Sequence, residues 1–436
     1  MEAVNIGLIG LGTVGSGTVE ILHRNSEDIS GRAGRDIRVS RVAVRDLDKP
    51  REVSVSSFDF GNDPMAVVDD PEIDIVVELI GGESLARDLV LRAIENGKHV
   101  VTANKALIAV HGNEIFKSAQ QRGVMVAFEA AVAGGIPVIK SLREGLAANR
   151  IEWLAGIING TCNYILTRME TDGLEFETVL QDAQALGYAE ADPEFDIEGI
   201  DAAHKLTIMA SIAFGIPLQF DRVYTEGITA VTIDDIRYAR ELGFVIKHLG
   251  IARRREEGIE LRVHPVLIPE DRLIANVNGV MNAVLVNADA VGPTLYYGAG
   301  AGAEPTGSAV VADIVDVVRA LTGDPTNRVP HLAFQPGALA SLPILQMGDV
   351  ETAGYLRMRV QNRPGVLAAI TRIFGDLDIS IETILQKGGD EVDGEVTIIM
   401  LTQPTMDRSL ASAIKAVEEL PAVDGQVNLI RLENLA

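Results

Sequence analysis

The stretch from Val4 to Leu22, VNIGLIGLGTVGSGTVEIL, constrains this chain more than any other. Val4, Ile6, Leu8 and Ile9 form an apolar run of strand length. Gly10, Gly12 and Gly15 follow in G-x-G-x-x-G spacing, and Val14, Thr18, Val19 and Leu22 then recur with helical period. A strand, a glycine turn and a helix in succession are the context in which this motif binds a dinucleotide. Gly10 suits the tight turn, Gly12 leaves room for a pyrophosphate, and Gly15 lets helix and strand pack closely. The helix N-terminus adds free N–H groups and the positive end of its dipole. Gly10, Leu11, Gly12, Thr13, Val14 and Gly15 are therefore the expected cofactor loop.

The next strand, from Ile37 to Val44, ends at Arg45, followed by Asp46 with Lys49 and Arg51 nearby. An acid at that point reads the ribose hydroxyls of NAD, whereas an arginine meets the 2′-phosphate of NADP. Arg45 leans toward NADP, and Asp46 leaves NAD open. Apolar runs at 73–80, 99–102 and 124–128 alternate with helical patterns, which predicts a doubly wound parallel sheet. Ligands of such sheets sit at the carboxyl ends of the strands. That places Lys105, just after His99–Thr102, within reach of cofactor or substrate, and puts Glu129 at another strand end.

With 436 residues and 47% hydrophobic content, about three domains can each bury a core. A net charge of −24 argues against nucleic acid and anionic membrane surfaces as partners. One cysteine, Cys162, rules out a disulfide framework or a cysteine zinc site. No apolar run reaches the roughly 18 residues of a membrane span. The first residues carry no basic region before an apolar stretch, so a signal peptide is not expected and a cytoplasmic location is.

Beyond residue 130, the strand 151–157 runs into Asn159 to Tyr164 and another helix, with Cys162 read as a small buried residue. The most unusual stretch runs from Gly187 to Leu206. Six acids (Glu190, Asp192, Glu194, Asp196, Glu198, Asp201) precede Lys205. Asp201 and Lys205 share a helix face, and the sequence after Lys205 is almost wholly apolar. Either an ordinary surface ion pair or a half-buried catalytic lysine fits that spacing. His204 points about 100° away on the helix and reads as structural. A glycine-rich segment, 297–308, precedes a helix expected at 309–321 that returns to the first domain. After a proline-rich stretch, residues 354–432 read β-α-β-β-α-β, a ferredoxin-like plan without a catalytic constellation.

The motifs Gly10–Gly15, Thr102–Lys105, Asn159–Asn163, Gly187–Pro193, Asp201–Lys205 and Pro305–Ser308 occur in the order found in homoserine dehydrogenases. The chain resembles the long form of that family, and Asn362–Leu367 resembles the start of an ACT domain. The resemblance implies an α/β chain of three parts: a Rossmann-type NAD(P)-binding domain (1–130), an α+β substrate and dimerisation domain (131–345), and a ferredoxin-like ACT regulatory domain (354–432). The implied activity is interconversion of L-homoserine and L-aspartate 4-semialdehyde in threonine, methionine and isoleucine biosynthesis. Lys205 is then the acid/base and Asp201 its partner. Glu190 and Asp196 meet the substrate's amino side, Lys105 reaches substrate and cofactor, and Gly302 lies by the cofactor. A monovalent cation, expected to be sodium, is held by Glu129 and the carbonyls of Val132, Gly134 and Ile136. The family also implies a homodimer or homotetramer and an amino-acid effector such as L-threonine. A different reading from the same modules is a nucleotide and amino-acid sensor that turns nothing over.

Overall fold

The computed structural model describes residues 2–51, 53–321, 323–324, 328–387 and 394–435. The chain divides into two compact units, each made of three stretches. The first comprises Met1–Ile158, Asp201–Val223 and Met281–Leu342, and the second Asn159–Ile200, Tyr224–Val280 and Pro343–Ala436. The expected domain 131–345 is thus shared between both. Residues 388–393 of the expected third domain lie outside the described residues, as do 322 and 325–327 of the second.

In the first unit, six parallel strands lie in the order Asp59–Gly61, Ile37–Ala43, Val4–Ile9, Ile75–Glu78, His99–Thr102, Val126–Ala127. The central strands are buried on both faces, which is why they read as unbroken apolar runs rather than alternating ones. The winding direction reverses between Val4–Ile9 and Ile75–Glu78. The crevice at their carboxyl ends is where an open α/β sheet binds its ligand. Helix Thr13–Arg24 leaves the first strand there. Helix Ala303–Ala320 packs against it so closely that a Cβ on Gly17 would lie 2.2 Å from the Ala303 carbonyl oxygen. Three antiparallel strands complete this unit, with Met281–Ala288 between Ile151–Ile157 and Gly292–Ala299.

Two local expectations change. The polar stretch 25–36 forms a helix, Ser26–Ala33, because Ile29 and Ala33 supply a buried edge and left-handed Gly34 ends it. The helix expected from Ala309 begins at Ala303, since Pro305 in a first turn loses no hydrogen bond. Among the described residues, no helix is long and apolar enough to cross a membrane.

The second unit carries a mixed sheet in the order Phe244–Arg254, Ile259–Pro269, Val423–Leu432, Glu351–Gln361, Glu395–Thr402, Ile381–Lys387. Its last four strands and the helices Val366–Asp376 and Asp407–Glu418 realise the ferredoxin-like plan. Leu356, Met358 and Val360 pack on those two helices beside Ile370, Phe374 and Leu410. Tyr355, Ile399 and Ile430 pack with Phe176, Val179 and Ile236, which come from earlier helices of the unit. The C-terminal module is therefore buried on both faces of its sheet and joined to Ile259–Pro269 by parallel pairing at Val266 and Arg431.

Candidate active site

Helix Ile200–Phe214 of the first unit presents the central group. Asp201 is 3% exposed and accepts from two lysines at once: Lys205 Nζ lies 2.7 Å from Oδ2, and Lys105 Nζ 2.9 Å from Oδ1. Lys205 also donates to the Ile158 carbonyl at 2.7 Å. Burial pushes the Asp201 carboxyl up, but the ammonium groups of Lys205 and Lys105 outweigh it and hold the acid well below its usual range. The surface ion-pair reading fails on burial, since the two side chains of the i,i+4 pair are only 5% and 12% exposed. Lys105 is more accessible, at 34%, and occupies the first position of helix Lys105–Arg122, capped by the Asn104 side chain. The sequence spacing paired Lys205 with Asp201; that Lys105 reaches the same carboxylate is a long-range fact no local pattern carries. His204 is buried, stacks on Phe220 with ring centroids 4.1 Å apart, and burial pulls its pKa down to about 4.

The glycine turn has the geometry a dinucleotide needs. Gly10 is left-handed (φ 102°), and a Cβ there would meet the Leu79 carbonyl oxygen at 2.7 Å. A Cβ on Gly15 would meet the Gly10 carbonyl oxygen at 2.3 Å, whereas Gly12 faces open space. Helix Thr13–Arg24 begins without a side-chain cap, so its first N–H groups suit a phosphate, and the residues present fit the pyrophosphate of NAD(P). Arg45 is exposed just beyond the strand Ile37–Ala43, and Gly302 (φ 127°) forms the N-terminal boundary of helix Ala303–Ala320.

Glu129 is 5% exposed and accepts from the backbone N–H groups of Ile139 and Lys140 at 2.9 and 2.8 Å. Burial raises its pKa to about 7 despite those bonds. Asp313 accepts from the Glu129 N–H, and burial together with Glu129 pushes its carboxyl well above the usual range. A buried acid under that penalty favours a nearby cation. The following loop turns through left-handed Ala133 (φ 55°) and Gly134 (φ 52°). Carboxylate and carbonyl oxygens such as those of Glu129, Val132, Gly134 and Ile136 are the donor chemistry that suits a hard cation. Among the described residues, no cluster of three His, Cys, Asp or Glu side chains could hold a metal.

In the second unit, Asp196 accepts from Asn159 Nδ2 at 2.8 Å and Thr161 Oγ1 at 3.4 Å, while Glu190 is exposed. Cys162 is buried and donates its thiol to the Asp196 carbonyl, as expected of a structural cysteine. Sequence reasoning singled out the motif Thr102–Lys105 but gave Thr102 and Asn104 no role, and it passed over Glu78. Glu78 is fully buried at the end of an apolar strand, and an acid in such a place was the available signal.

Comparison with known proteins bears on the whole length. Residues 10–129 match the model "Homoserine dehydrogenase, NAD binding domain", residues 137–315 "Homoserine dehydrogenase", and residues 354–419 "ACT domain". A homoserine dehydrogenase of Pseudomonas aeruginosa is 62% identical over 436 residues, covering 100% of both chains. The crystal structure of a homoserine dehydrogenase from Thiobacillus denitrificans is 64% identical with a TM-score of 0.96, covering 100% of this chain and 99% of that one. A hyperthermophilic archaeal homoserine dehydrogenase mutant, solved in complex with NADPH, is 26% identical with a TM-score of 0.62, covering 72% of this chain and 97% of that one.

Proposed function

The chain belongs to the homoserine dehydrogenase family, and from that premise we propose how its residues interconvert L-homoserine and L-aspartate 4-semialdehyde. The observation that carries the proposal is the buried Asp201 carboxylate shared by Lys105 and Lys205. When bound, NADPH supplies the hydride that the aldehyde carbon accepts. Lys205 serves the oxygen on which negative charge then builds. Its ammonium has three donors; Asp201 and the Ile158 carbonyl take two, and the third serves the substrate. A positioned ammonium stabilises the developing alkoxide and delivers the proton. In the reverse direction the same group removes it. Asp201, ionised throughout, fixes both lysines in place.

Lys105 contacts substrate and cofactor, and Glu190 and Asp196 supply carboxylates for the substrate's α-ammonium. Gly10, Leu11, Gly12, Thr13, Val14, Gly15 and Gly302 bind the cofactor. Arg45 makes it NADP, in keeping with the NADPH held by the archaeal relative. Glu129 with the carbonyls of Val132, Gly134 and Ile136 holds a sodium-like cation that neutralises the buried acid. The C-terminal module binds L-threonine near Asn362–Val366, the protein assembles as a homodimer or homotetramer, and it works in the cytoplasm in threonine, methionine and isoleucine synthesis.

Purified protein is incubated with L-homoserine and NADP⁺ while NADPH absorbance is followed. Turnover supports the reading; nucleotide binding without turnover would instead favour a sensor. Inhibition by millimolar threonine checks the effector, and its absence would leave the module to assembly alone.

A further inference from the structure

Glu78 lies at the carboxyl end of the central strand Ile75–Glu78 and is fully buried. Its Oε1 accepts from the backbone N–H groups of Ile80 at 2.9 Å and Gly81 at 3.3 Å, and its Oε2 accepts from Thr102 Oγ1 at 2.6 Å. Thr102 Oγ1 accepts in turn from the Asn104 N–H at 3.0 Å. The Asn104 side chain then does two things. Its Nδ2 donates to the Gly82 carbonyl at 2.6 Å, and its Oδ1 accepts from the Leu107 N–H at 3.0 Å, capping helix Lys105–Arg122. Lys105 is the first residue of that helix and ends 2.9 Å from Asp201.

We infer that Glu78, Thr102 and Asn104 are positioning residues that hold the start of helix Lys105–Arg122 in register, so that Lys105 is aimed at Asp201. A buried carboxylate costs free energy unless its hydrogen bonds are complete. Here the Ile80 and Gly81 N–H groups, the Thr102 hydroxyl and the Asn104 side chain satisfy it, from the two segments that follow the strand ends, 80–81 and 102–104. A leucine in that place would fill the volume but accept nothing, and the turn through left-handed Gly81 (φ 69°) and Gly82 (φ 72°) would lose its carboxylate tie to Thr102. Lys105 is one-third exposed on a flexible stem, so its aim depends on where its backbone is pinned.

The inference rests on the role proposed above for Lys105, and the experiment separates the two. A double-mutant cycle combines Thr102→Val, which keeps shape and removes the hydroxyl, with Lys105→Ala, read out as kcat and as KM for L-homoserine. Thr102→Val is expected to lower kcat by about ten- to hundredfold, the range for a lost hydrogen bond to a buried carboxyl group and a displaced reacting group. Thr102→Ser should restore most of it. In the Lys105→Ala background, Thr102→Val should add little, because the group it aims is gone. Equal losses in both backgrounds would mean the network merely supports the fold and would overturn the inference. So would a lowered kcat for Lys105→Ala beside an unchanged one for Thr102→Val. An unchanged kcat for Lys105→Ala would overturn the role of Lys105 itself and the relay with it. If circular dichroism shows Thr102→Val unfolded, the cycle is run with Asn104→Asp, which keeps the cap oxygen and removes the donor to Gly82.

Discussion

Asp201 gathers Lys105 and Lys205 around one buried carboxylate. Two ammonium groups on one buried carboxylate keep it ionised, and it orients them in return. Lys205→Ala is expected to lower kcat by about 10²–10⁴-fold, the usual contribution of a general acid, with NADPH binding nearly unchanged. An unaffected kcat would return Lys205 to a structural ion pair. His331 permits a second test at this scale. It is partly buried, stacks on Phe116, and accepts from the Val126 N–H through Nε2. Burial, helped by Arg143, lowers its pKa to about 4, below the 6.5 of an unconstrained histidine. Between those values the unfolded chain binds the proton and the folded one does not. The stability held by the neutral ring is therefore complete above about pH 6.5 and is lost as pH falls toward about 4. His331→Gln, neutral and still able to accept, should flatten the dependence of Tm on pH in that window relative to the parent.

At the scale of elements, the helices Thr13–Arg24 and Ala303–Ala320 meet at Gly17 and Gly307. A methyl group on Gly17 would lie 2.2 Å from backbone oxygen, so Gly17→Ala must push the helices apart. A loss of about 1–3 kcal/mol in denaturant unfolding is the expected size for overpacking. Gly31→Ala is the control: it is exposed in helix Ser26–Ala33, with nothing within 4 Å of the added carbon. There the smaller backbone freedom of alanine should stabilise by about 0.4–1 kcal/mol. If both substitutions shift the midpoint alike, the close crossing is not what Gly17 serves. The same crossing explains why a helix from a distant part of the sequence contributes Val310, Ile314 and Val317 to the first core.

Taken as a whole molecule, the C-terminal module is not a detachable bead. Asp235 is completely buried at the start of helix Ile233–Glu241 and receives the Tyr355 hydroxyl, the Arg357 guanidinium and the Asn428 amide at 2.6–3.1 Å. Deleting residues after 346 would leave that acid without all three and uncover one face of its core. Such a truncated chain is expected to aggregate rather than act as a clean unregulated enzyme. Arg357→Met should cost about 3 kcal/mol, because it leaves a buried charge short of its partner. Adding Asp235→Asn should recover part of that loss, and equal or additive losses in denaturant unfolding would show that the pair is not coupled. A regulatory ligand in this module would then act through a shared core.

Local patterns in the sequence determined the fold class and most of the elements. Val4–Ile9, the glycine turn and the following helix announce themselves through side-chain period and backbone freedom, which are properties of neighbours along the chain. The pairing of Asp201 with Lys205 belongs to the same class, since a helix sets four-residue neighbours on one face. Ser26–Ala33 escaped because its two apolar residues are too few to reveal a face until the rest of the core is present. Only the tertiary structure decided that the pair is buried, that Lys105 completes it from 96 residues away, and that Glu78 is satisfied by donors near residues 80 and 102. It also decided that the last ninety or so residues share a sheet with Ile259–Pro269. Those are meetings between segments distant in sequence, and their free energy depends on burial, a quantity that no stretch of chain possesses until the others have closed around it.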